Sequence, residues 1–158
     1  MAELLHKVEF HRRFETSYNW IIFTIFVSLL AVFIHSAGQT MFFTHGYFEE
    51  PNLYHTWDRF DEITHPLSSC AMTAIILNFN LPMSFRKKWI VSLIAGMILG
   101  VFWEILEFIA VPFGLVRMTF VDTLLDLHQD FYGSALAILL YIIMMRESRI
   151  HPTEMFKL

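Results

Sequence analysis

The chain contains a single cysteine, Cys70, so it forms no internal disulfide, carries no CxxC redox pair and offers no zinc-finger framework. A lone free cysteine behaves as a small apolar residue, and Cys70 is expected to pack between helices. Charge is scarce as well: Asp, Glu, Lys and Arg make up 16% of the 158 residues, against roughly a quarter in a soluble domain of this size. The net charge of −4 gives nucleic acid no basic surface to bind. Six glycines and five prolines form no low-complexity segment, and no internal repeat is present. The absence of GxSxG, of a phosphate-binding glycine loop and of HExxH removes nucleophile-elbow hydrolases, P-loop NTPases and zincins from consideration.

What remains is apolar and aromatic. Hydrophobic residues make up 56% of the chain, with seventeen Phe and four Trp, which fits lipid as part of the solvent and aromatic side chains at the membrane interfaces. Residues 19–37 form an almost unbroken apolar run, about the length that crosses ~30 Å of hydrocarbon at 1.5 Å per residue. A basic stretch precedes it, and the run is expected to stay in the protein as an anchor rather than to be a cleaved signal peptide. Further spans are predicted over 59–81, 89–111 and 119–145, the second and fourth apolar only in one half. The expected fold is therefore all-α: a four-transmembrane-helix up-and-down bundle forming a single integral membrane domain over 1–158.

Lysine and arginine set the orientation. Lys7, Arg12, Arg13, Arg86, Lys87, Lys88, Arg146, Arg149 and Lys157 fall on the side shared by both termini, with only Arg59 and Arg117 opposite. The positive-inside rule then makes both termini cytoplasmic in a multi-pass protein of the cell membrane. Residues 3–17 alternate basic and apolar types and are expected to form an amphipathic interfacial helix. The loop over 39–57, with Phe42, Phe43, Tyr47, Phe48 and Tyr54, is too aromatic for a solvated linker and is expected to cap the outer interface.

Most of the fifteen acids lie in or beyond the outer half, where only Arg59 and Arg117 can pair with them. Helix rise places Glu104 about 22 Å above Trp89 and about 8 Å inside the outer hydrocarbon edge. Asp126 and Asp130 lie about 10 and 16 Å below Thr119, and His65 lies about 10 Å below Asp58. At about 100° per residue, Glu104 and Glu107 share one face, with Gly96 and Gly100 beneath them allowing close helix approach. Asp122, Asp126 and Asp130 form a line continuing toward Gly133, while Asp58, Asp61, Glu62 and His65 share a stripe. His128 points about 200° away from Asp126. An ionised carboxylate at membrane depth costs at least a few kcal/mol and is rarely kept without a partner. Protons, hydrogen-bond donors or a bound cation can neutralise such a layer. For Asp58, Glu62 and Asp122, an interfacial position in contact with water explains the residue equally well. The candidate metal ligands are His65, Glu104, Glu107, Asp122, Asp126, Asp130 and Asp61, a hard donor set suited to a divalent Zn, Mn, Fe, Mg or Ca ion. His35, His45 and His55 lie on the outer side and could add ligands, but as isolated residues they are read as interfacial side chains; His6, His11 and His151 are read as parts of the basic tails.

Trp57-Asp58 followed by His65, then Trp103-Glu104-Ile105-Leu106-Glu107-Phe108, then Asp122-Thr123 with Asp126 and Gly133, resemble the YjdF-like family of small bacterial and archaeal membrane proteins, and more distantly VanZ-like proteins. The similarity covers about residues 57 to 140, and its E-x-x-E and D-T-x-x-D elements are moderately specific. The resemblance implies a membrane site built from His65, Glu104, Glu107, Asp122 and Asp126, and it implies no substrate.

Three functions are compatible with these residues. The first is a metal site opening to the outer face, acting on a membrane lipid or other amphiphile. The second is an accessory subunit whose acids meet other transmembrane subunits or a partner's metal. The third is a proton or cation pathway, which the nearly all apolar or small stretches 71–77 and 135–143 disfavour, because a relay needs a continuous polar line.

Overall fold

The computed structural model describes residues 18–40, 53–57, 60–79, 83–113 and 118–147. The interfacial helix expected over 3–17 and most of the loop 39–57 lie outside the described residues, as do Asp58, Arg59 and Arg117. Every described element is helical: α1 (Tyr18–Thr40), the single turn α2 (Leu53–Thr56), α3 (Asp61–Asn78), α4 (Phe85–Ala110) and α5 (Phe120–Glu147).

Local chemistry sets several of the boundaries. The Thr119 hydroxyl accepts the Asp122 N–H at 3.1 Å, capping the free donors at the start of α5. Asp61 and Glu62 in the first turn of α3 face the positive end of that helix's dipole. Pro66 lies inside α3 and has no N–H to give the Glu62 carbonyl. α4 tightens into a 3₁₀ turn over Val111–Phe113, where Pro112 can donate no further helical bond.

Helix directions follow from which ends meet. Trp20, early in α1, stacks edge-on against Tyr141, late in α5, with ring centroids 5.0 Å apart. Asn78, closing α3, donates to Thr24 Oγ1 at 2.9 Å, and Lys88, opening α4, donates to the Tyr141 hydroxyl at 3.4 Å. Hence α1 and α4 run one way, while α3 and α5 run the other. α3 is central and touches the other three long helices, whereas α1 and α4 do not pack side by side.

The molecule carries its apolar side chains outward. Phe26, Leu29 and Val32 of α1, Ile98 and Phe108 of α4, and Leu124 and Leu139 of α5 are exposed, while Thr64, His65, Thr73, Glu104, Asp126, Asp130 and Ser134 are buried. That arrangement suits lipid as the surrounding solvent. Among the described residues, three helices are long and apolar enough to cross a membrane, over Tyr18–Gln39, Arg86–Phe113 and Phe120–Met145. The segment expected over 59–81 is helical from Asp61 to Asn78 and is not among those three. Its polar side chains, Thr64, His65, Ser69 and Thr73, turn toward the bundle interior. An apolar cluster around Trp20, Ala74, Leu77, Ala137 and Tyr141 fills the end where α1 and α4 begin, and Cys70 packs into it. The opposite end holds the acids.

Candidate functional site

Two glycines bring the site helices together. At Gly133 of α5, a β-carbon would overlap the Pro66 carbonyl oxygen of α3, so the two backbones touch there. Asp130 and Asp126 precede Gly133 by about one and two helical turns, and His65 precedes Pro66 by one residue, so this crossing sets both acids against the imidazole. At Gly100 of α4, a β-carbon would run into the Asp130 carboxylate, and the missing side chain is what lets that carboxylate lie between α4 and α5. Just below, Thr73 donates to Ser134 Oγ at 2.9 Å, a buried α3–α5 bond between small polar residues of the kind that joins helices in lipid.

The two ring nitrogens of His65 face different acids. Nδ1 lies 3.4 Å from Asp130 Oδ1, and Nε2 lies 3.9 Å from Asp126 Oδ1, with all three side chains buried. Glu104 of α4 completes the cluster: His65, Glu104 and Asp126 each place one ligand atom within 4.8 Å of the others. Glu104 is 5% exposed, and neither of its carboxylate oxygens has a hydrogen-bond partner. The Thr123 hydroxyl approaches it without reaching bonding geometry.

These dimensions decide what could bridge the three residues. Two ligands of one ion lie at most twice the bond length apart, about 4.2 Å for zinc and about 5 Å for calcium. The 3.9 Å between His65 Nε2 and Asp126 Oδ1 fits either ion, and the 4.8 Å limit asks only a small closing of side chains around a first-row metal. Asp130 stands behind the imidazole, where a carboxylate fixes the tautomer and aim of a ligating histidine.

A cavity of about 580 Å³ lies between α1 and α4 over α3, and Asp126 and Asp130 open into it. Asp61, Glu107 and Asp122 also line it, at intermediate exposure, so the structure brings all the expected acids except Glu104 to one wall. Glu104 lies behind that wall, within reach of His65 and Asp126. Glu107 accepts the Trp103 indole N–H at 2.7 Å. Among the described residues no lysine or arginine lines the cavity.

The junction of aromatic rings at the acidic end of this chamber was not expected from the sequence. His35, expected as an interfacial side chain, lines the cavity; its Nδ1 lies 2.6 Å from the Tyr54 hydroxyl and its ring 5.6 Å from the Trp103 ring, nearly perpendicular to it. One signal was available: Trp103 sits one turn before Glu107, the spacing at which an indole can serve a carboxylate. A second signal proves empty. Glu62-Ile63-Thr64-His65 has the E-x-x-H spacing used by di-metal helical bundles, yet Glu62 is exposed while His65 is buried. His128, expected to face away from Asp126, is exposed and meets the Tyr132 ring edge-on.

The profile of a family described as Predicted membrane protein (DUF2238) matches residues 2–147. No curated protein and no solved structure matches.

Proposed function

The chain belongs to that family of predicted membrane proteins, and we propose that it is a four-span protein of the cell membrane that holds a divalent metal ion in the outer half of the bilayer. α3 is the fourth crossing. Its 18 residues span about 27 Å, close to the ~30 Å of hydrocarbon, and its polar side chains are sheltered by the helices it touches. The lysine and arginine distribution puts both termini in the cytoplasm.

His65, Glu104 and Asp126 are the ligands, and Asp130 is the carboxylate that aims His65. The observation that carries this assignment is Glu104, a buried acid with both oxygens unpartnered beside a second acid and an imidazole. Such a group is costly in lipid unless a cation or a proton satisfies it. One nitrogen and two carboxylates favour zinc, iron or manganese over the all-oxygen sites of magnesium and calcium. A metal held by these three residues would act as a Lewis acid toward water or the polar part of a membrane amphiphile. Glu107, held by Trp103 and facing the cavity, would be placed to hold or move a proton at its carboxylate.

A through-membrane proton route is disfavoured by the apolar cluster around Trp20 and Leu77, both fully buried beneath the carboxylates. Elemental analysis of the purified protein tests the metal. One equivalent of a first-row metal is expected, with a fall in thermal stability on chelation; substoichiometric metal together with indifference to chelator sinks the proposal.

A further inference from the structure

The cavity between α1 and α4 carries ionisable side chains at one end only. Val32 of α1, Met72 and Ile75 of α3, and Leu99 of α4 line its inner part, and the acids line its outer part. From His65 to Ile75 along α3 is about 15 Å, long enough for a medium-length alkyl chain. Val32 is 65% exposed, and Met72 and Ile75 are 44% and 39% exposed. The apolar walls therefore continue onto the outward face that carries Leu29 and Phe33, with no helix in between among the described residues. At the other end, His35 of α1 meets Trp103 of α4 across the gap, and Tyr54 holds His35 from behind.

We infer that this cleft takes up, from within the bilayer, a single-chain amphiphile with a protonated amine headgroup. Its chain lies along Val32, Met72, Ile75 and Leu99, and its ammonium group among Glu107, Asp122 and Asp130. Shape points to an amphiphile, because a volume of this size is typical of small-molecule sites and its ionisable groups are confined to one end. The sign of the charge selects the head. No lysine or arginine lines the cavity among the described residues, and of its two imidazoles His65 already lies between Asp126 and Asp130 and His35 against Tyr54, so a phosphate or carboxylate head would meet chiefly like charge. An alcohol would bring the five acids of the wall no positive charge. An ammonium offers three donors and one positive charge to carboxylates that can accept several bonds each. The metal proposed above takes Glu104 and Asp126 as ligands, while the amine head takes Glu107, Asp122 and Asp130, which ligate nothing in that proposal although Asp130 aims His65. The amine site stands whether or not the metal binds.

The test uses the full-length protein, purified in a nonionic detergent and stripped with chelator, so that failure of the metal proposal cannot affect the result. Thermal unfolding is followed with dodecylamine, dodecyl phosphate, dodecanol and propylamine at matched free concentrations. Dodecylamine is expected to raise the midpoint and to bind at least about tenfold more tightly than dodecanol, with no stabilisation by dodecyl phosphate or propylamine. Glu107→Gln, which keeps the acceptor for Trp103 but removes the charge, is expected to reduce the dodecylamine response. Val32→Trp, at an outward position where a larger side chain fits without disturbing the core, is expected to abolish it by filling the mouth. Equal stabilisation by dodecanol, by dodecyl phosphate or by propylamine overturns the proposal. So does an undiminished dodecylamine response in a Val32→Trp protein whose ligand-free midpoint matches that of the parent.

Discussion

Gly133 of α5 lies directly against Pro66 of α3, so close that a β-carbon there would overlap the carbonyl oxygen and come 2.8 Å from the carbonyl carbon. The obstacle is backbone and cannot rotate away. Gly133→Ala gains about 1 kcal/mol of helix propensity, but overpacking against an immovable neighbour costs about 1–3 kcal/mol, and moving the helices apart withdraws Asp126 and Asp130 from His65. The expected outcome is a lower unfolding midpoint together with loss of bound metal. Retention of the metal by the Gly133→Ala protein would show that the crossing does not set the site.

Glu104 separates a cation site from a protonated network through the sign of one substitution. In metal-loaded protein, Glu104→Gln should lose the metal and stability, because an anionic ligand has gone. In chelator-stripped protein, the same change should stabilise by about 1–2 kcal/mol, roughly 2–8 °C for a chain of this size, because a buried charge without a partner has been removed. Glu104→Ala leaves a cavity and destabilises in both states. The exposed Glu62→Ala should do neither. If Glu104→Gln is neutral in both states, the metal site fails.

Asp126 and Asp130 flank the same imidazole, and they are expected to respond differently. Asp126→Asn removes a ligand and should abolish stoichiometric binding. Asp130→Asn leaves the ligands in place but loosens the aim of His65, which typically weakens metal binding by about 10–100-fold. Equilibrium competition with a chelator of known affinity measures both. Equal losses at the two positions would place Asp130 among the ligands.

The Thr73–Ser134 bond offers a further test, this one of the bundle rather than the metal. In a double-mutant cycle, Thr73→Ala and Ser134→Ala should couple by about 0.6 kcal/mol, the average worth of such a bond between helices in a membrane. Coupling read from reversible unfolding in mixed micelles checks it, and a value near zero would mean that the hydroxyls find other partners once separated.

Much of this arrangement was legible in the residues. Helix rise puts His65, Glu104, Asp126 and Asp130 in one layer, and the 100° rotation per residue puts each acid on an inward face. The sequence could not say how finely each helix is turned. Glu62 and His65 differ by about 60° around α3, and the Pro66–Gly133 contact turns His65 inward and leaves Glu62 outside. The separate roles of Asp126 and Asp130 depend on the rotation of one imidazole ring, which no spacing encodes. The junction of His35, Tyr54 and Trp103 joins residues far apart in the chain, and no local pattern announces it. The sequence marks α3 as a span apolar in only one half, and central helices can be polar because other helices, rather than lipid, satisfy them.

The packed cluster of Trp20, Leu77, Ala137 and Tyr141 makes the chamber above it a blind well. Whatever fills the well has to arrive and leave by the acidic end or through the lipid beside Val32. On the orientation and the metal proposed above, an impermeant chelator added to sealed vesicles of uniform orientation is expected to strip the protein from the outer face alone. Occupancy would then follow the metal supplied on that face.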